Sequence, residues 1–260
     1  MSEIAKKLLI CLVAAHMAGD FLLQPNNDIS GKRSIPVLIK HSGIVAILSY
    51  VFCGLWTQWQ VPFSILATHY IIDFINDRSG GKEIKIFIID QFAHLVVIIG
   101  ISFFLPVIMP LSLSFFWERL LGSMYYKFLI FASGAIFTVN AGSSFIGLAV
   151  NPFLDQIEKA KRAAGATASK SLDLVIRGFE NGGRVIGQLE RALIFLFIMV
   201  NQPSLIGFLI AAKSILRFGE MKDKENRMEA EYIIIGTLLS FLFAIIFAYI
   251  TKYLIDSMTF

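Results

Sequence analysis

At 260 residues, 56% hydrophobic and only 16% charged, with a mean hydropathy of +0.71, the chain is too apolar to be an ordinary soluble domain. Its two cysteines, Cys11 and Cys53, both fall inside apolar segments, which excludes a disulfide scaffold and a cysteine zinc cluster. The net charge of +4 and pI near 9.0 call for no nucleic-acid partner, because basic loops beside anionic lipid account for them.

Apolar stretches of about 17 to 25 residues cross a bilayer as helices. Such segments run over residues 7–24, 36–57, 61–76, 86–109, 125–150, 185–201, 203–218 and 232–254. They predict an all-α fold, a polytopic transmembrane helical bundle of about eight helices. The third, sixth and seventh segments are short, and residues 185–218 read equally as a re-entrant hairpin turning at Asn201, Gln202 and Pro203. The first segment has the basic start of a secretory signal in Lys6 and Lys7. His16 and Met17 stand where a cleavage site wants small residues, so a retained helix is expected.

Two units are expected: a four-helix N-terminal membrane unit over 1–110, and a C-terminal membrane unit over 111–260 with a cytoplasmic connector near 151–184. In that connector Leu172, Val175, Ile176 and Phe179 recur at helical spacing, which predicts a helix lying on the membrane or packed as a connector. Divided between the two sides that eight crossings define, the loops hold sixteen Lys and Arg on one side and five on the other. Positive charge marks the cytoplasmic side, so both termini are expected outside an inner membrane, although Lys6 and Lys7 alone argue the reverse.

All four histidines of the chain lie in apolar segments, three of them four residues from an aspartate: His16 with Asp20, His69 with Asp73, and Asp90 with His94. On a helix that spacing stacks two side chains on one face. The topology adds depth. Asp20 and Asp73 end their segments near the cytoplasmic side, and His41, Asp90 and His94 begin theirs there, so all seven groups share one level. Ionisable groups in hydrocarbon are costly and mark functional sites. Imidazole and carboxylate donors suit a divalent transition metal: zinc first, with manganese, iron or nickel as alternatives, as one ion with outer carboxylates or as two bridged ions. His16, Asp20, His41, His69, Asp73, Asp90 and His94 are the expected ligands. Asp20, Asp73 and Asp90 are also the expected catalytic carboxylates, and Gln24 and Gln91 the supporting hydrogen-bonders.

The runs AHMAGDFLLQP at 15–25, His41, HYIID at 69–73 and DQFAH at 90–94 resemble the signature of the bacterial membrane family known as domain of unknown function 3307. GRVIGQLER at 183–191, AAKSILRF at 211–218 and AEYIIIGTLLS at 230–240 resemble its longer members. Family members often carry a lysine after the HxxxD of the third helix, whereas Asn76 and Asp77 follow here. The resemblance implies a fold and a site, with no established activity. A looser similarity to membrane-bound metal-dependent hydrolases rests on His/Asp content and membrane setting alone.

In the second half, a hairpin about Gln202 puts Glu190 and Lys213 at matching depth, which predicts an ion pair. Arg191, Lys213 and Arg217 are candidates for holding an anionic group, with snorkelling to the interface as the plainer role of Arg217. Asn140, Gly142, Ser143 and Ser144 are small or polar enough for close helix packing. Three functions fit this sequence. The preferred one is a metal-dependent hydrolase acting on a lipid or other amphiphilic small molecule at the cytoplasmic leaflet. The alternatives are a transition-metal or proton-coupled transporter, and a non-catalytic membrane subunit whose polar cluster fixes helix packing. Membrane lipids are the expected surroundings, and the oligomeric state is left open.

Overall fold

The computed structural model describes residues 2–24, 34–78, 83–108, 115–163, 181–218 and 227–258, and contains no strand among them. The helices are α1 (Glu3–Phe21), α2 (Ile35–Cys53), α3 (Gln60–Arg78), α4 (Ile84–Ile108), α5 (Phe116–Leu121), α6 (Met124–Ile136), α7 (Gly142–Ala163), α8 (Gly182–Met199), α9 (Leu205–Phe218) and α10 (Arg227–Ser257). Each of the eight expected apolar segments is helical. Four helical stretches, Ile35–Cys53, Ile84–Ile108, Met124–Ala160 and Met228–Ser257, are long and apolar enough to cross a membrane by length and composition, which fits a membrane protein. Helices α1 and α3 are 19 residues each, about 28 Å at the usual rise, and the charged groups they carry hold them below that standard. The connector helix expected around Leu172 to Phe179 lies outside the described residues.

Local chemistry sets the ends of these helices. Ser2 caps α1 by accepting the Ala5 N–H at 3.2 Å, with Glu3 in the first turn where the helix dipole favours a carboxylate. Pro36 occupies the first turn of α2, where no intrahelical N–H is needed. Gly54 ends α2 at φ 61°, in the left-handed region. A Cβ there would also lie 2.8 Å from Trp117 Cδ1, so glycine is required on two counts. Between α6 and α7 the helix widens into a π-turn over Phe137–Ala141. A tight turn joins α8 to α9, with Asn201 at φ 59°, as both two crossing helices and a re-entrant hairpin require.

The chain divides into two compact units, Met1–Phe137 with Tyr253–Phe260, and Thr138–Lys252. In the first, α1 packs against α2, α4 and α6, while α3 bridges α2 and α4. Its apolar core gathers Leu8, Leu12, Val45, Val61, Ile65, Ile98, Tyr126 and Leu129. Outward residues such as Ile47, Phe92 and Phe104 are large, apolar and exposed, as a hydrocarbon-facing surface requires. Near the start of α1, Lys7 Nζ sits 2.6 Å from both Glu3 Oε1 and Glu118 Oε1, and Tyr126 donates to Glu118 Oε2 at 3.0 Å. That clamp ties α1 to α5 and α6.

In the second unit, buried Arg191 of α8 donates from Nε and Nη2 to Val139 O of the π-turn, from Nη2 to Ser143 Oγ and from Nη1 to Ser240 Oγ. Gly142 and Gly187 make room for it, since a Cβ on either would come within 3.1 Å of the Arg191 side chain. Lys213 Nζ lies 2.6 Å from Glu190 Oε2, joining α9 to α8.

Candidate metal centre

The site forms at one end of the α1–α4 bundle. His16 and Asp20 lie in the last part of α1, His69 and Asp73 in that of α3, His41 near the start of α2, and Asp90 and His94 near the start of α4. Close packing of α1 on α2 makes this possible. A Cβ on Gly19 would fall 2.6 Å from Val45 Cγ2, a stiff β-branched atom, so only glycine lets Asp20 come this near to α2.

Four atoms from three helices converge. His41 Nε2 lies 3.3 Å from Asp20 Oδ1 and 3.7 Å from Asp73 Oδ2, and His69 Nε2 lies 3.4 and 3.6 Å from the same two oxygens. The two Nε2 atoms are 3.2 Å apart. Bonds of about 2.0–2.2 Å to a tetrahedral ion set ligand–ligand edges of about 3.3–3.6 Å. The five separations therefore outline a nest of zinc size. Hydrogen bonding alone serves it poorly, because a neutral imidazole places at most one proton on Nε2 while three acceptor atoms surround each.

The remaining groups flank this nest. His94 Nε2 is 3.3 Å from Asp73 Oδ1 and 3.9 Å from Asp90 Oδ1, and the His94 ring stacks on His69 with centroids 4.2 Å apart. Gln91 links the other two: its Nε2 donates to Asp90 Oδ2 at 3.1 Å, and its Oε1 faces His16 Nε2 at 3.3 Å. Since the carboxylate fixes the amide orientation, the Gln91 oxygen accepts from His16 and the His16 proton belongs on Nε2. The bare Nδ1 of His16 then faces Asp20 Oδ1 at 3.5 Å. His16, His41, His69, Asp73 and His94 are all buried. Three carboxylates and four imidazoles are packed together in a low-dielectric setting, a donor set that a divalent cation would match. Three overlapping groups fit an ion by proximity: His16, His69 and His94; Asp20, His41 and His69; and Asp73, Asp90 and His94.

Thus the seven residues singled out as ligands meet in one cluster, and Gln91 bonds into it. Gln24, half-buried, lies past the end of α1. Glu190, Arg191 and Lys213 belong to the second unit, where Glu190 and Lys213 pair with each other. The Arg217 side chain lies outside the described residues. Sequence reading missed Gly19, which looks like any small residue in an apolar helix, and the Lys7–Glu118 clamp. The one available signal for the clamp was a lysine seven residues into the chain facing a lone glutamate before α6.

Residues 8–120 match the model of the family described as "Protein of unknown function (DUF3307)", the family that the motifs resemble. That match contains all seven cluster residues. Comparison with curated proteins and with solved structures finds no match to the chain.

Proposed function

We propose that the first unit is a membrane-embedded centre for a divalent transition metal, zinc first, and that the protein is a metal-dependent hydrolase acting on a lipid or other amphiphilic ester at the cytoplasmic leaflet. The observation that carries the reading is the nest of Asp20 Oδ1, His41 Nε2, His69 Nε2 and Asp73 Oδ2, whose five separations of 3.2–3.7 Å match the edges of a tetrahedron around such an ion. These four residues would hold the metal, which, on taking up a fifth ligand, would lower the cost of deprotonating water and polarise a phosphoryl or acyl oxygen.

The protein's own groups do the rest. His16 is set up as the general base. Gln91 holds its Nε2–H, and its Nδ1 makes no hydrogen bond among the described residues. Once protonated, Nδ1–H points at Asp20 Oδ1, which stabilises the imidazolium.

One further feature supports a one-sided site over an ion pathway. Moving from the cluster into the bundle, Ser49, Thr68 and Ser102 each donate to the carbonyl four residues back on their own helix, beside the apolar core residues Leu8, Leu12, Val45, Ile65 and Ile98. A polar route would need side chains turned toward one another.

The test is elemental analysis of the purified chain in mild detergent, combined with release of phosphate or fatty acid from phospholipid vesicles. Bound metal is expected in the wild type, lost in His41→Ala, together with metal-dependent product release. A metal-free wild type that stays folded and active would sink the reading, and metal uptake by reconstituted vesicles without product release would replace it with transport.

A further inference from the structure

We infer that the cluster holds a second divalent metal, bound by Asp73 Oδ1, Asp90 Oδ1 and His94 Nε2, with the Asp73 carboxylate bridging the two ions, and that the pair acts on phosphate esters. This rests on the metal centre proposed above and names its substrate class.

Asp73 divides its two oxygens. Oδ2 faces the nest at 3.6 Å from His69 Nε2, while Oδ1 faces away from it at 3.3 Å from His94 Nε2. One carboxylate with an oxygen in each of two donor sets is the geometry of a bridge. The second set is distinct from the first, since Asp73, Asp90 and His94 each offer an atom within 4.8 Å of the others.

An independent observation marks the same atoms. His94 Nε2 and Asp90 Oδ1 are buried and make no hydrogen bond among the described residues, although the two side chains are otherwise enclosed. Buried polar atoms are nearly always satisfied, so two of them 3.9 Å apart point to a cation as their common partner.

The second set also has the open position that catalysis needs. It supplies three protein ligands rather than four. On the bundle side of the cluster, a cavity of about 10 Å³ touches His94 of this set together with His16 and His69, and is otherwise lined mainly by apolar side chains such as Leu12, Val45, Ile65 and Ile98. A cavity of that size admits water and no acyl chain. The ester must therefore reach the ions from the end of the bundle, headgroup first.

Two ions bridged by a carboxylate can stabilise the entering and the leaving oxygen of an in-line displacement at phosphorus together, which is the role assigned to them here. In the reaction, the water oxygen bonds to phosphorus as the ester P–O bond breaks. The proton of the water passes to His16 Nδ1, and His16 returns that proton to the departing alkoxide. A phosphate monoester and water thus give an alcohol and inorganic phosphate.

The experiment uses the full chain in mild detergent, stripped of metal and reloaded with Mn2+. Two Mn2+ per chain with an exchange-coupled electron paramagnetic resonance spectrum are expected. Asp90→Asn and His94→Gln should each fall to one uncoupled ion, with the wild-type elution profile showing that the fold persists. A wild type holding one uncoupled Mn2+ overturns the second site and leaves the first reading standing, whereas a wild type that binds neither Mn2+ nor Zn2+ overturns both. For the substrate class, the two-ion form should hydrolyse p-nitrophenyl phosphate. Hydrolysis of p-nitrophenyl butyrate alone, or of neither, overturns the phosphate assignment.

Discussion

The second unit and the His/Asp cluster of the first bury charge in opposite ways. In the second, Arg191 spends its N–H groups on Val139 O, Ser143 and Ser240, and Glu190 meets Lys213 at 2.6 Å. In the first, His16 Nδ1, Asp90 Oδ1 and His94 Nε2 end without a hydrogen bond among the described residues, beside donors spaced for an ion. Saturated buried charge holds helices together, and unsaturated buried charge awaits a ligand. The count of charged residues does not separate the cases; the account of each donor and acceptor does.

Breaking the saturated pair should have the largest effect on stability. Glu190→Ala removes the carboxylate that pairs with Lys213, whose side chain is 18% exposed, and should cost about 3 kcal/mol in a detergent unfolding titration while leaving metal content unchanged. Asp73→Asn should do the reverse. Metal affinity, measured by competition with a chelating dye, should fall by about 100-fold or more, and the metal-free protein should unfold no earlier than the wild type. If Asp73→Asn destabilises the metal-free protein as Glu190→Ala does, the contrast between the units collapses. Gly19→Ala, which sets a methyl group against Val45, should cost about 1–3 kcal/mol and weaken metal binding together, because the same displacement moves Asp20 away from His41. The smallest effect is expected from Gln91→Leu. Loss of the bonds that orient His16 and Asp90 should lower metal affinity about 10-fold with little change in unfolding.

The seven cluster residues were legible because ionisable groups inside apolar runs stand out, and because a spacing of four puts His and Asp on one helical face. Their common level followed from the loop charges. What the sequence could not show is which atoms meet. The choice of Nε2 on His41 and His69, and the split of the Asp73 oxygens, depend on how α2, α3 and α4 turn toward one another. Arg191 is a clearer case. Read along the chain it is a cation suited to an anionic group, yet the groups it donates to are a backbone carbonyl and two hydroxyls, which leave no signature in the sequence. The carbonyl belongs to the π-turn at Phe137–Ala141, which apolar periodicity cannot reveal. The short helix α5 and its Glu118 contact with Lys7 likewise depend on partners far apart in the chain.

The most direct test of the metal centre is X-ray absorption at the zinc edge on zinc-loaded wild-type protein in mild detergent. The account predicts a first shell of nitrogen and oxygen at about 2.0–2.2 Å with the outer-shell scattering of coordinated imidazole, abolished in Asp73→Asn. An oxygen-only shell without imidazole scattering, or zinc retained equally by Asp73→Asn, would contradict it.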